Sequence, residues 1–266
     1  MHIQWVVQRN LTNQGDFEDL KRSCAHLGVH FIELDIIPFT PELPAFDRSR
    51  KSIIYGSTTF NSLASEDIDL RPGIFFEEKS FSMENYIYKW GRHMLNYDAS
   101  VITFKELIEA NMFSAEKLLF IRPNDDSKSF AGEVRRFDEI GDWYNQLKGV
   151  ENANLSPESK IVVSEPYNIQ YEWRLWIVNK KVVASSKYRE YFKLKKEEGC
   201  PVQVISFAEE RCQEYTPHDI FVMDICLCGD EYFIVECGCM NGAGFYKAKI
   251  EDIVSNVTNY CGLNSF

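Results

Sequence analysis

The sequence predicts two parts, an α/β domain over residues 1–100 and an α+β domain with an antiparallel sheet over residues 101–266. In the first part, apolar runs typical of parallel strands alternate with a helical repeat, which is the pattern of βαβ units. In the second part, apolar runs follow each other across short polar turns, which indicates antiparallel hairpins. Helical repeats around these hairpins predict helices packed on that sheet.

The composition places the chain among soluble globular proteins. Its 266 residues suffice for a sizeable core, and 45% hydrophobic and 26% charged residues are ordinary values for that class. No run of 18 apolar residues occurs and the N-terminus lacks a signal-peptide pattern, so we expect a cytoplasmic protein with no membrane partner. The net charge of −11 argues against a nucleic-acid partner, because non-specific nucleic-acid binding requires a basic surface.

In the first part, residues 3–7, 29–37 and 52–55 predict strands, and a helical repeat of apolar residues over 16–27 ends at Gly28. The third strand runs into residues 56–58, Gly-Ser-Thr, where a helix should begin. Such a junction could bind an anion through its backbone amides, but a plain helix cap is the simpler interpretation and the one we favour.

The second part follows a predicted helix over residues 83–95. Thr103 and Glu106 have the spacing of a capping box, which predicts a helix start. The other predicted elements are strands at 118–121 and 160–164, a hairpin of 171–178 with 182–188, and helices at 137–147 and 248–260.

Acidic residues interrupt two apolar strands near the end of the chain. Residues 221–226 and 232–237 predict a hairpin around Gly229, Asp230 and Glu231, and Asp224 and Glu236 lie inside its strands. A three-residue loop would put Asp224 directly opposite Glu236. Ionised carboxylates in a core strand cost several kcal/mol unless each has a partner, and two of them at about 5 Å repel each other.

A divalent cation between these carboxylates would remove the repulsion. With Asn241 just past the second strand, the set has only oxygen ligands, which suits Mg²⁺ or Mn²⁺. The alternative is a structural charged pair or a solvated strand end.

The same hairpin carries Cys226, Cys228, Cys237 and Cys239, which raises the alternative of a zinc site. In either hairpin register the two cysteine pairs face opposite sides or lie more than about 13 Å apart, whereas thiolates bind Zn²⁺ at about 2.3 Å. We therefore interpret the cysteines as reduced, buried, small apolar residues, which fits a reducing compartment.

Cationic and acidic residues precede the hairpin in a suggestive order. Arg122 ends a predicted strand and Lys128 lies in the polar loop after it, an arrangement that can hold a polyphosphate but is common in loops. The strand at 160–164 runs into an extended linker with Glu165 and Tyr167, whose backbone could meet an adenine edge. An ordinary strand with exposed glutamates is the alternative.

The next predicted strand places Glu172 and Arg174 on one face, because side chains alternate along a strand. Arg174 could stabilise charge on a transferred phosphoryl group, or it could form a cross-strand salt bridge. On the returning strand, Lys187 and Arg189 should share a face by the same alternation and add cations to this sheet.

Taken in order, these residues resemble the ATP-grasp superfamily, and most closely its clade in which an arginine takes the first phosphate-binding lysine position. The resemblance covers roughly residues 100–250, and the α/β part looks like the pre-ATP-grasp domain that accompanies the fold. Two departures are visible: the loop at 124–132 is not glycine-rich, and four residues separate Glu236 from Asn241 where many relatives have one.

The resemblance implies a role for each matching position. The metal set would hold Mg²⁺ bridging the ATP phosphates, and Arg174 would act catalytically on the γ-phosphate or acyl-phosphate. The implied metal ligands are Asp224, Glu236 and Asn241, and the implied nucleotide-binding residues are Arg122, Lys128, Glu165, Tyr167, Glu172 and Lys187.

The resemblance also implies an activity. ATP would phosphorylate a substrate carboxylate, and an amine acceptor would then attack the acyl-phosphate to form an amide or peptide bond. The implied cofactors are ATP with Mg²⁺ or Mn²⁺, and the implied partners are a carboxylate substrate and an amine that are small molecules, amino acids or peptides. The alternatives are a nucleotide-binding regulatory protein without ligase activity and an interaction module without a nucleotide site.

Overall fold

The chain forms three β-sheets with helices packed against them in the computed structural model, which describes residues 2–37, 42–125, 129–147 and 155–264. The first sheet is parallel and the other two are antiparallel. In the described part of the chain, every helix is too short or too polar to cross a membrane.

The N-terminal sheet has the strand order β2-β1-β3 and confirms the predicted βαβ pattern. Its two faces are covered by different helices because neighbouring side chains of β1 alternate: Trp5 packs among residues of α1 and α7, whereas Val6 packs with Phe60 of α2. The elements are β1 Ile3–Gln8, α1 Gln14–His26, β2 His30–Leu34, β3 Lys51–Tyr55, α2 Thr58–Glu66 and α7 Ile250–Leu263.

A four-stranded antiparallel sheet follows, in the order β4-β7-β5-β6. Apolar residues of its strands pack with α4 and α5 in one core. The predicted capping box is confirmed, because Thr103 and Glu106 exchange side-chain-to-backbone hydrogen bonds at the start of α4. The elements are β4 Ser100–Thr103, α4 Phe104–Ala110, β5 Leu118–Pro123, β6 Glu133–Arg136, α5 Phe137–Leu147 and β7 Lys160–Ser164.

The largest sheet is antiparallel with the order β10-β9-β8-β11-β12. Helices α3 and α6 pack on one face of it, around Trp173 and Leu175 of β8. The elements are α3 Met83–Trp90, β8 Ile169–Val178, β9 Lys181–Glu190, β10 Lys193–Glu198, α6 Val202–Glu214, β11 Ile220–Cys228 and β12 Glu231–Gly238.

Strand β10 and helix α6 were not predicted from the sequence. Strand β10 is a solvent-exposed edge with the sequence KLKKEE, so it lacks the apolar alternation that identifies strands. Helix α6 begins at Pro201 without a side-chain cap, so the usual start signal is missing.

The opposite face of the five-stranded sheet shares a core with the N-terminal sheet. Trp176 of β8 and Val222 of β11 lie in the same apolar cluster as Trp5 and Val254. The indole nitrogen of Trp5 donates to the hydroxyl of Thr258 in α7 at 2.9 Å. The last helix therefore ties the two ends of the chain together, and a domain boundary near residue 100 stays a prediction.

Candidate functional site

A cleft of about 500 Å³ lies between the two antiparallel sheets. One wall comes from β5 and β6, and the other comes from β8, β9, β11 and β12. Apolar residues line one region, and charged residues cluster in the other. The residues named below that line the cleft are Leu95, Phe120, Arg122, Tyr167, Ile169, Glu172, Arg174, Tyr188, Arg189, Phe192, Asp224, Glu236 and Tyr246.

The predicted pairing of Asp224 with Glu236 is confirmed, although by a different route from the expected one. The loop has two residues, and the pairing of Cys228 with Glu231 begins a register that would place Asp224 opposite Val235. An irregularity between Asp224 and Ile225 shifts the register by one residue. This β-bulge on β12 turns Glu236 toward the cleft.

Asp224 is held by a two-pronged ion pair. Its carboxylate accepts hydrogen bonds from Nε and Nη2 of Arg174, both at 2.8 Å. Only 3% of the Asp224 side chain and 15% of the Arg174 side chain are exposed, so solvent screens this pair weakly. Burial raises the pKa of Asp224, and the Arg174 charge opposes that rise. Burial alone would lower the pKa of Arg174, but Asp224 raises it, so the guanidinium stays charged.

Tyr188 connects this pair to a second carboxylate. Its hydroxyl lies 2.7 Å from Glu172 and 3.3 Å from Asp224, and Arg189 donates to Glu172 at 3.0 Å. Burial raises the pKa of Glu172, while Tyr188 and Arg189 oppose that rise. The region therefore concentrates two carboxylates and two guanidinium groups around one buried phenol.

Arg122 bridges the two sheets. From the end of β5 it reaches across the cleft and forms an ion pair with Glu236 of β12. The Arg122 side chain is 15% exposed, and the Glu236 side chain is 33% exposed. Both predicted metal carboxylates therefore have arginine partners, which is also the arrangement that the charged-pair alternative expects.

The prediction that Lys187 and Arg189 share a face is wrong. Arg189 pairs with Glu172, and Lys187 pairs with Trp173, so Tyr188 is an extra residue at a bulge. The bulge leaves Lys187 on the face opposite the cleft, where its ammonium contacts Glu190 at 3.0 Å and Glu197 at 2.7 Å. The predicted nucleotide role of Lys187 therefore needs correction.

Asn241 also lies outside the cleft. Its side-chain nitrogen donates to the carbonyl oxygens of Ile54 and Gly73 at 2.6 and 2.7 Å, and its side-chain oxygen accepts from the backbone nitrogen of Phe75 at 2.7 Å. The residue is fully buried. Because these backbone groups use its amide, Asn241 is not presented as a metal ligand, and its predicted metal role needs correction as well.

The remaining predicted residues are dispersed. Tyr167 lines the cleft and donates to Asp98 at 2.9 Å. Glu165 is exposed and contacts Lys117 at 2.7 Å. Lys128 lies outside the described residues.

Two aromatic residues of the cleft had no signal in the sequence. Tyr188 reaches the site only because of the bulge, which period-two alternation cannot reveal. Tyr246 stacks on Tyr188 with ring centroids 4.9 Å apart, and the Arg174 guanidinium lies 5.2 Å from the centre of the Tyr246 ring. Its φ of 55° is unusual for an aromatic residue. The two rings restrict the position of Arg174 from one side.

The donor set of the cleft suits one kind of metal. Among the described residues, no group of three or more His, Cys, Asp or Glu side chains could hold a metal by itself. Mg²⁺ does not need such a group, because it commonly binds one or two carboxylates and takes its other ligands from phosphate and water. Asp224, Glu236 and the nearby arginines therefore fit a magnesium-bound polyphosphate.

Comparisons with known proteins agree on one family. A family model described as an ATP-grasp domain, the third family of its clade, matches residues 75–257. The comparison with curated protein sequences yields no match.

Solved structures share the fold at low sequence identity. The macrocyclase MdnC from Microcystis aeruginosa MRC, bound with precursor peptide MdnA, is 11% identical with a TM-score of 0.57, covering 96% of this chain and 99% of that chain. A RimK domain ATP-grasp protein from Sphaerobacter thermophilus DSM 20745 is 13% identical with a TM-score of 0.55, covering 96% and 94%. The D-alanine–D-alanine ligase from Bacillus anthracis, complexed with ATP, is 11% identical with a TM-score of 0.54, covering 99% of both chains.

Proposed function

The chain belongs to the ATP-grasp domain family whose model it matches, and on this premise we propose that it is an ATP-dependent ligase that joins a carboxylate to an amine. ATP phosphorylates the substrate carboxylate, and the amine attacks the resulting acyl-phosphate to form an amide or peptide bond. The products are the amide, ADP and phosphate. A peptide-modifying enzyme and an amino-acid ligase are among the structures with this fold, so both peptides and amino acids are candidate substrates.

One observation carries this proposal: two arginine–carboxylate pairs from both walls meet in the same cleft. Arg122 comes from the four-stranded sheet, and Arg174 comes from the five-stranded sheet. Both guanidinium groups can exchange a carboxylate partner for a phosphate, which they bind in the same two-pronged manner. Arg122 then takes the phosphate-binding position that a lysine occupies elsewhere in the superfamily.

Asp224 and Glu236 would hold Mg²⁺, which would neutralise charge on the ATP phosphates. Glu172 is placed to accept hydrogen bonds from the ribose, and Leu95, Phe120 and Ile169 line an apolar region suited to adenine. Arg174 keeps its positive charge in a buried position, so it can stabilise the charge that develops on the transferred phosphoryl group.

The chemistry in this proposal depends on positioning and charge neutralisation. No Ser, Cys, His or Lys side chain lines the cleft in the part of the chain that the structure describes. The substrate carboxylate is therefore the nucleophile toward ATP, and the protein orients the reactants and excludes water from them.

Thermal unfolding with ATP and Mg²⁺ tests the nucleotide site. At 100 times its dissociation constant, a ligand that binds only the folded state stabilises it by about 2.7 kcal/mol, which raises the Tm by roughly 5 °C or more. The increase should require both ATP and Mg²⁺. ADP release with mixtures of carboxylates and amines then tests ligation. An unchanged Tm with both ligands would contradict the proposal.

One observation favours a second candidate, a nucleotide-binding regulatory protein without ligase activity. Asn241 supports the fold and not the cleft, and the residue that shares a strand face with Glu236 two positions later is Gly238, which has no side chain. This candidate expects the same Tm increase with ATP and Mg²⁺ but no ADP release with any acceptor mixture.

The corrected position of Lys187 gives a matched test of the two faces. We expect Lys187→Met to leave the affinity for Mg²⁺–ATP within about twofold of wild type, because the ammonium contacts Glu190 and Glu197 on the opposite face. Arg174→Met on the cleft face should weaken it about tenfold or more, since a lost charged contact costs roughly 1.5–3 kcal/mol. Titration calorimetry measures both affinities. A large loss in Lys187→Met would contradict the assigned faces.

A further inference from the structure

The turn between β9 and β10 holds two aromatic residues in a strained backbone. Tyr191 and Phe192 have φ values of 42° and 65°, and Glu190 pairs with Lys193 on either side of them. Two consecutive residues with positive φ are typical of a type I′ turn, in which Asn and Gly are preferred. Bulky side chains in this region are uncommon and cost free energy.

The other end of strand β9 provides a comparison within the same sheet. The turn between β8 and β9 has Asn179 at φ 47° and Lys180 at φ 65°. Its first residue is of a type that tolerates the left-handed region, so this turn follows the usual preference. The β9–β10 turn does not follow it at either position, so its sequence is not explained by turn geometry.

Contacts in the folded protein account for Tyr191 but not for Phe192. The Tyr191 ring packs 5.8 Å from that of Tyr171, and its backbone nitrogen donates to Gln170 at 2.8 Å. Phe192 lines the cleft on the other side of the turn and remains 61% exposed. A strained residue with little burial of its own points to a contact with a ligand.

The position of the turn selects the part of the cleft that Phe192 faces. The hydrogen bond to Gln170 fixes the turn beside the first residues of β8, next to Ile169. Arg174 lies four residues further along this strand, which corresponds to about 13 Å. Phe192 therefore faces the apolar region of the cleft, away from the ion pairs.

We propose that Phe192 is a nucleotide-binding residue that covers the nucleoside in the cleft, and that the strained turn is retained because it holds the ring there. This inference rests on the proposed function, since it requires a nucleotide in the cleft. A flat ring at the open side of an apolar region can stack on a base or pack against a ribose, and base–aromatic stacking is a strong, sequence-tolerant contact.

Two glycine substitutions separate the cost of the turn from the ligand contact. Phe192→Gly removes the ring and relaxes the turn, and Lys180→Gly relaxes the comparison turn at the same φ. Both should keep or slightly raise the Tm, by up to about 2 °C, because glycine adopts positive φ without strain. Only Phe192→Gly should weaken Mg²⁺–ATP binding, by about tenfold. Phe192→Asn, which also tolerates the turn, provides a second variant without the ring.

Binding of Mg²⁺–tripolyphosphate completes the test, because this probe lacks the nucleoside. Its affinity should be unchanged in all three variants. Wild-type affinity for ATP in Phe192→Gly and Phe192→Asn would overturn the inference and leave the proposed function intact. An equal loss of ATP and tripolyphosphate affinity would also overturn it, since the turn would then act on the phosphate region. Wild-type protein that binds neither probe would overturn the proposed function and this inference together.

Discussion

Replacing Asp224 with Asn is expected to abolish the Tm increase with ATP and Mg²⁺ and to reduce ADP release by about 10³-fold. The substitution keeps the size of the side chain but removes the negative charge that faces Glu236 and Arg174. Without this charge, Mg²⁺ loses one of its two protein carboxylates. The freed Arg174 can also bind phosphate in an unproductive position.

The same substitution affects the fold, and the measurement has to separate the two effects. An Asn amide can accept one of the two hydrogen bonds from Arg174 but presents an NH₂ group to the other, so the buried guanidinium loses part of its compensation. We expect a loss of about 3 kcal/mol in the free energy of unfolding. Ligand binding should therefore be measured by titration calorimetry at a temperature where the variant is fully folded.

A matched control exists on the same sheet. Glu209 forms an ion pair with Lys181 at 2.8 Å, and its side chain is 26% exposed, close to the 33% of Glu236. Glu236→Gln should eliminate the dependence on Mg²⁺, whereas Glu209→Gln should leave it unchanged. Near-normal ADP release in both Asp224→Asn and Glu236→Gln would show that the cleft carboxylates are structural.

Replacing Asn241 with Asp is expected to destabilise the protein by about 4 kcal/mol or more at neutral pH. The Asn241 amide donates to two carbonyl oxygens in a fully buried position. A carboxylate cannot donate to either oxygen, and each buried group left without a partner costs about 1–3 kcal/mol, more when charge is involved. Chemical denaturation measures the loss.

This substitution distinguishes the two roles considered for residue 241. If Asn241 were a metal ligand, Asp would be an equal or better ligand, and stability would change little. If it supports the fold, burial raises the pKa of the new carboxyl above that in the unfolded chain. The loss should then be smaller near pH 5 than at pH 8, because the protonated acid can donate one hydrogen bond. Asn256→Asp on the exposed face of α7 is the control, with little expected change at either pH.

The sequence alone indicates the most important pairing of the site. Asp224 and Glu236 stand out because carboxylates in apolar strands require partners, and the hairpin pattern brings them opposite each other. Arg122 and Arg174 were also placed correctly in the cleft, because each lies on a strand with a clear apolar pattern. These residues are readable because local alternation and the cost of burying charge both act at short range.

The errors follow from bulges and long-range contacts. A bulge at Tyr188 moved Lys187 to the wrong face, and a bulge near Val235 replaced the expected three-residue loop. One extra residue reverses the side to which every later side chain of a strand points, and no composition signal marks it. Asn241 was misassigned because its partners Ile54, Gly73 and Phe75 lie more than 160 positions away in the chain.

By itself, the sequence determined the parallel α/β beginning, the antiparallel second part, the capped helix after Thr103 and the acidic hairpin, since these depend on periodicity and on neighbouring residues. The tertiary structure decided which side chains face the cleft, that each metal-site carboxylate has an arginine partner, and that two aromatic residues with positive φ line the cleft. These features depend on how separate sheets pack and on where strands accommodate an extra residue, and distant parts of the chain set both.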